Sequence, residues 1–198
     1  MNINLILASK SPRRKEILQN VGLDFEIIVS DTDESVPFGT LPFDAVKEIS
    51  RRKALAVKNS LGDKSHGKII LGADTVVALD NRIIGKPKDK EDAVAILKSL
   101  SGKKHTVYTG FTIVKDDSVF SDFESTDVYF RTLTDNEIQA YVDGGEPMDK
   151  AGAYGIQQKG ALLVDKIHGD YFNVVGLPIN KIAVTFYEKL GINLLYMN

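Results

Sequence analysis

The stretch HTVYTGFTIVKDDSVFSDFESTDVYFRT, residues 105–132, decides the fold class. Its two halves, His105 to Val114 and Val119 to Thr132, are rich in β-branched and aromatic residues. Between them lies the polar turn Lys115-Asp116-Asp117-Ser118. Two such runs around a short turn predict a long hairpin, and therefore antiparallel pairing. Upstream, Leu5 to Ala8, Phe25 to Val29 and Lys68 to Leu79 read as strands, with a short one at Arg82-Ile83-Ile84; downstream, Leu162 to Ile167 reads as another. Helices are predicted from Pro12 to about Val21, stopped by Gly22, and from Pro42 to about Leu61. Asp89 caps a third, running to Leu100 and closed by Gly102. Thr134 and Glu137 form a capping box for a fourth, and Pro178 to Leu190 is the last, with Gly191 after it. Strands and helices mix without strict alternation. The expected fold is mixed α/β: a twisted mixed sheet with helices, one domain over residues 1–198, two lobes around a central cleft.

A chain of 198 residues buries a core without covalent staples. The absence of cysteine excludes disulfides and thiolate metal sites. His66, His105 and His168 are far apart, form no HExxH pair, and read as surface or hydrogen-bonded structural positions. A net charge of −2 argues against a general nucleic-acid surface. No apolar run is long enough to span a membrane, and the opening residues lack signal-peptide character. The expectation is a cytoplasmic protein with neither nucleic-acid nor membrane partners.

Five features carry chemistry. In Ser9-Lys10-Ser11-Pro12-Arg13-Arg14-Lys15, four cations crowd the start of a helix. A helix N-terminus is already partly positive, so each exposed cation there costs up to about 1 kcal/mol. A bound anion reverses the sign of every such term, which makes this strand–loop–helix junction a phosphate site or, equally, a solvated basic turn. Lys53 falls on the apolar stripe Val46, Ile49, Ala56, Val57 of the second helix; either its stem snorkels or its ammonium enters a polar cleft. Arg51 and Arg52 lie off that stripe and are expected to be solvated. Asp74 sits inside IILGADTVVAL, residues 69–79. A carboxylate amid buried strand residues needs a cation or several donors, and Gly72-Ala73 leaves room for close approach; the competing reading is a turn at Asp74-Thr75. Gly85-Lys86-Pro87 and Asp31-Thr32-Asp33-Glu34 are weak signals alone, and the latter is not an EF-hand loop. In Asp149 to Gln157 the small residues allow a ligand close to the backbone. The Gln157 amide can match a uracil or thymine edge, or be an exposed Gln on a structural connection.

Taken in order, Ala8 to Arg14, Lys53, Gly72-Ala73-Asp74-Thr75, Gly85-Lys86-Pro87, Asp149 to Gln157 and Asn173 to Pro178 resemble the Maf family of nucleoside triphosphate pyrophosphatases, once described as septum-formation inhibitors. The resemblance implies an ITPase-like fold. The branch acting on 7-methyl-GTP typically has Gln after the acid. This chain has Thr75 and continues Ala153-Tyr154-Gly155-Ile156-Gln157, so it looks like the branch hydrolysing dTTP and UTP, with modified pyrimidine nucleotides also in view.

The resemblance implies that Arg13, Arg14, Lys53 and Lys86 clamp the phosphates with help from Ser9. It makes Asp74 both a ligand of Mg²⁺ or Mn²⁺ and the proton acceptor, with Glu34 as second acid. Arg13, Thr75 and Gln157 become the candidates for substrate choice. It also implies a house-cleaning role linked to arrest of division, and it is compatible with a homodimer. The competing reading is a non-catalytic nucleotide sensor regulating septum formation through a protein partner.

Overall fold

In the computed structural model, residues 3–29 and 31–197 are described. The strands are β1 (Leu5–Leu7), β2 (Phe25–Ile27), β3 (Ile69–Leu79), β4 (Arg82–Ile84), β5 (Lys104–Lys115), β6 (Ser118–Phe130) and β7 (Val164–His168). The helices are α1 (Pro12–Asn20), α2 (Pro42–Leu61), α3 (Lys90–Leu100), α4 (Asp135–Asp143), α5 (Tyr171–Val175) and α6 (Ile179–Leu190). They form one mixed sheet in the order β2-β1-β3-β5-β6-β7, with β4 also on β3. β1 runs parallel to β2 and β3, while β5, β6 and β7 pair antiparallel, as the hairpin reading requires.

Because side chains alternate along a strand, β3 and β5 divide the helices between two faces. Ala73, Val77, Val107, Phe111 and Ile113 point to one face. At one end of it Phe111 and Ile113 join Leu18, Ile182 and Phe186 from α1 and α6; at the other, Val107 joins Leu97, Ile138 and Val142 from α3 and α4. These are two hydrophobic cores on shared strands. The opposite face is covered by α2, which comes so close that two glycines are needed. A Cβ on Gly72 would lie 2.4 Å from the Ser50 carbonyl oxygen, and one on Gly110 2.3 Å from that of Val46. The room seen at Gly72 in the sequence is thus filled by α2 and not by a ligand. Likewise, a Cβ on Gly152 would meet the Val77 side chain at 2.8 Å, so that glycine serves packing.

Local signals set most boundaries. The Ser11 hydroxyl accepts the Arg14 N–H, Asp89 caps α3, and the Thr134–Glu137 capping box is formed. The turn reading of Asp74-Thr75 fails, since β3 pairs with β5 continuously from Ile69 to Ala78. Three expectations need correction. β2 stops at Ile27, Leu162 and Leu163 belong to a 3-10 turn (Gln158–Leu163) before β7, and the five-residue α5 has no counterpart in the sequence reading. A single helical turn is too short to show periodicity.

His105 is a buried structural histidine. Its Nε2 lies 2.7 Å from the Tyr154 hydroxyl, and its ring packs edge-on against Phe130 and Tyr154. Burial pushes its pKa down to about 4, with Asp127 opposing weakly. The unfolded chain therefore binds this proton below about pH 6.5 while the folded one does not until about pH 4, so stability falls as pH drops through that window. Unfolding by urea is expected to show a loss of about 2–3 kcal/mol from this group between pH 7 and 4.5. The variant His105→Phe should lack that part of the pH dependence. Parallel stability–pH curves for the two proteins would refute the assignment.

Candidate active site

β1 ends at Leu7, and β4 joins β3 only from Val77. Between them, the edge of β3 from Gly72 to Val76 has no strand beside it among the described residues. A cleft of 1110 Å³ opens there, reached by both helical layers. It is lined by the residues after β1 (Ala8, Ser9), the start of α1, Lys53, Asp74 to Val77, Gly85-Lys86 and the 149–157 segment.

From the α2 face comes the acidic centre. Asp74 stands opposite Gly110 in the β3–β5 register, beneath α2. The close seating of α2 on Gly72 and Gly110 brings Lys53 to it. The Lys53 Nζ donates to Asp74 Oδ1 at 2.7 Å and lies 2.8 Å from Glu34 Oε1. Both lysine and aspartate side chains are largely buried, at 15% and 11% exposure. Of the two readings of Lys53, the ammonium enters the cleft. Burial raises the Glu34 carboxyl, but Lys53, with Lys86 and Arg14 behind it, outweighs this and holds it below the usual carboxylate range. Two carboxylates thus share one ammonium, and the trio keeps one net negative charge.

From the α1 face comes a buried cation. Ala8 N–H takes the Leu71 carbonyl, the last rung of the β1–β3 ladder. The next carbonyl on that edge, Ala73, is taken by Arg14 Nη1 at 2.9 Å. Arg14 also donates from Nη1 to Ser9 Oγ (2.9 Å), from Nη2 to Thr75 Oγ1 (3.0 Å) and from Nε to the Gly176 carbonyl (2.8 Å). These four acceptors are all neutral. Burial lowers the Arg14 pKa, with Asp74 opposing, yet a guanidinium stays charged. A buried charge held only by dipoles favours an anion nearby. Four of its five donors are committed, so Arg14 acts chiefly as a fixed positive field. Thr75 is part of its mounting, bonded in turn to Thr109 at 2.9 Å.

The remaining cations are more accessible. Arg13 reaches across the cleft to Asp149, Nη1 to Oδ2 at 3.2 Å. Lys86 is exposed on the turn after β4 and lines the cleft. Gln157 is half-buried in the cleft wall. All the site residues expected from the sequence line one cleft: Ser9, Arg13, Arg14, Glu34, Lys53, Asp74, Thr75, Lys86 and Gln157. The sequence reading missed two residues. Lys150, 15% exposed, donates to the Glu146 carbonyl and to Asp149 at 2.6 Å each. Arg52, expected to be solvated, instead bonds the backbone around Glu34. Its i,i+4 spacing from Glu48 was visible, but that spacing predicts only a surface ion pair.

A chain of net charge −2 that concentrates cations around a buried acid at an open sheet edge is built to hold a polyphosphate and act on it. The family described as Maf-like protein matches residues 4–188, and the chain belongs to that family. It is 49% identical over 195 residues to the dTTP/UTP pyrophosphatase of Thermoanaerobacter sp. (strain X514), covering 98% of this chain and all of that one. It is 50% identical over 194 residues to the dTTP/UTP pyrophosphatase of Alkaliphilus oremlandii (strain OhILAs), covering 96% and 98%. Among solved structures, the Staphylococcus aureus Ham1 protein shows a loose likeness, with TM-score 0.41, 13% identity, and 64% and 71% of the two chains covered. Among the described residues no helix is long and apolar enough to cross a membrane.

Proposed function

We propose that this chain is a nucleoside triphosphate pyrophosphatase that hydrolyses dTTP and UTP to the nucleoside monophosphate and pyrophosphate. The observation that carries the reading is the Lys53–Asp74–Glu34 trio facing the Arg13, Arg14 and Lys86 cations across one cleft. Relatives with half of their residues in common bear the name dTTP/UTP pyrophosphatase. A protein that only bound phosphate would gain nothing from two acids that repel it.

The donor set fits a hard divalent cation. Asp74 and Glu34 each give one carboxylate oxygen to the Lys53 ammonium, the trio is net negative, and carboxylate oxygens are the ligands such a cation takes. Among the described residues no cluster of three or more His, Cys, Asp or Glu side chains is placed for a metal. Two protein carboxylates with the rest supplied by phosphate and water is the usual pattern for Mg²⁺. We assign Asp74 and Glu34 as the residues that would hold Mg²⁺ or Mn²⁺, which when bound supplies neutralisation of phosphate charge. Asp74 takes the proton of the attacking water as its oxygen bonds to phosphorus and the bond to the leaving pyrophosphate breaks. Arg13, released from Asp149, and Lys86 bind the phosphates directly. Arg14 and the α1 N-terminus supply the fixed positive field.

Gln157 is assigned to the pyrimidine edge. Its replacement by Ala is expected to lower kcat/KM roughly ten- to hundredfold on dTTP and UTP. CTP and GTP, whose edges this amide is not assigned to match, should change much less. Equal losses on all four nucleotides would place Gln157 in a structural or phosphate-binding role.

A further inference from the structure

We propose that Arg52 is a positioning residue for Glu34, holding it where Asp74 and a metal need it. This rests on the assignment of Glu34 as the second metal-holding acid. None of residues 31–41 is buried, and Phe38 stands fully in solvent. The segment that carries Glu34 therefore has no apolar anchor of its own, and polar contacts must fix it.

Arg52 supplies contacts on both sides of Glu34. Its Nη1 donates to the Asp33 carbonyl at 3.2 Å and to the Ser35 carbonyl at 2.8 Å. Its Nε is aimed by Glu48 Oε1 at 2.9 Å. Asp33 tightens the same turn, accepting the Ser35 N–H and hydroxyl at 2.8 Å each. The next residue on the helix, Lys53, holds the Glu34 side chain and Asp74 together. Consecutive residues of α2 thus grip the backbone and the carboxylate of Glu34. Because α2 is seated on Gly72 and Gly110, the loop inherits the position of the sheet that bears Asp74. An acid preorganised in this way spares a metal the entropy of ordering the loop.

The test compares Arg52→Ala and Arg52→Gln with Glu34→Gln and the double variant Glu34→Gln/Arg52→Ala. The Mn²⁺ concentration for half-maximal pyrophosphate release from dTTP is expected to rise about tenfold in either Arg52 variant. In the Glu34→Gln background the Arg52 change should add less than about twofold, since no acid remains to position. Hydrogen exchange in the metal-free protein gives an independent readout. The Ser35 amide, bonded to Asp33 within the turn that Arg52 holds, should exchange about tenfold faster in Arg52→Ala. Glu48→Gln, which leaves the carbonyl contacts intact, should keep the wild-type Mn²⁺ dependence. Wild-type Mn²⁺ dependence or unchanged exchange in the Arg52 variants would overturn the proposal while leaving Glu34 in place. An equal Arg52 effect with and without Glu34 would also overturn it. If Glu34→Gln itself leaves the Mn²⁺ dependence unchanged, the metal role of Glu34 falls, and this proposal with it.

Discussion

Replacing Asp74 with Asn is expected to lower kcat on dTTP by about 10³-fold or more at saturating metal. Asn keeps the size and most of the polarity of the side chain but cannot accept the proton of the attacking water. It also removes one of the two charges that would hold a divalent cation. The fold should tolerate the change, because Lys53 retains Glu34 at 2.8 Å and is not left as an unpaired buried cation. The thermal midpoint is therefore expected to stay within a few degrees of the wild type, so that the loss reads as chemistry. Turnover within about threefold of the wild type would remove Asp74 from the proton-transfer step.

Gly110→Ala is expected to give a large loss of stability from a single methyl group. The added Cβ would lie 2.3 Å from the Val46 carbonyl oxygen, 2.4 Å from its carbon and 2.7 Å from the Lys47 nitrogen. All three are helix backbone, so no side chain can swing aside and α2 must move. Overpacking of this kind costs about 3 kcal/mol or more. The chain has no tryptophan, so far-UV circular dichroism during urea unfolding is the suitable probe. The displacement has a second consequence, because Gly110 is the cross-strand partner of Asp74 and α2 carries Lys53. Even the folded fraction should lose activity, about 10²-fold for a shift on the scale of 1 Å. Unchanged stability would mean that α2 is not held by this contact.

These effects explain which parts of the protein were readable in the sequence. The hairpin, the span of α2 and the Thr134–Glu137 cap are local: their signals lie within a few residues of what they determine. The antiparallel part of the sheet followed from the hairpin. The parallel pairing of β1 with β3 joins residues more than sixty positions apart, and no local pattern encodes it. Asp74 was legible as an acid out of place, and Lys53 as a charge on an apolar stripe. That they meet depends on Gly72 and Gly110 admitting α2, a tertiary fact. Beyond the family resemblance, Glu34 had only the weak signal of its acidic stretch, residues 31–34. Arg52 was misread, because its role lies in two backbone carbonyls that carry no sequence signature. Arg14 was legible as a cation at a helix start but not as the residue that completes the β3 edge.

Identification of the products of dTTP hydrolysis tests the central claim most directly. With Mg²⁺ or Mn²⁺ present, phosphorus NMR of the reaction should show dTMP and pyrophosphate appearing in equal amounts. UTP should behave alike, and omission of the metal should abolish the reaction. Release of inorganic phosphate with dTDP, or no turnover of either nucleotide with metal present, would contradict the account.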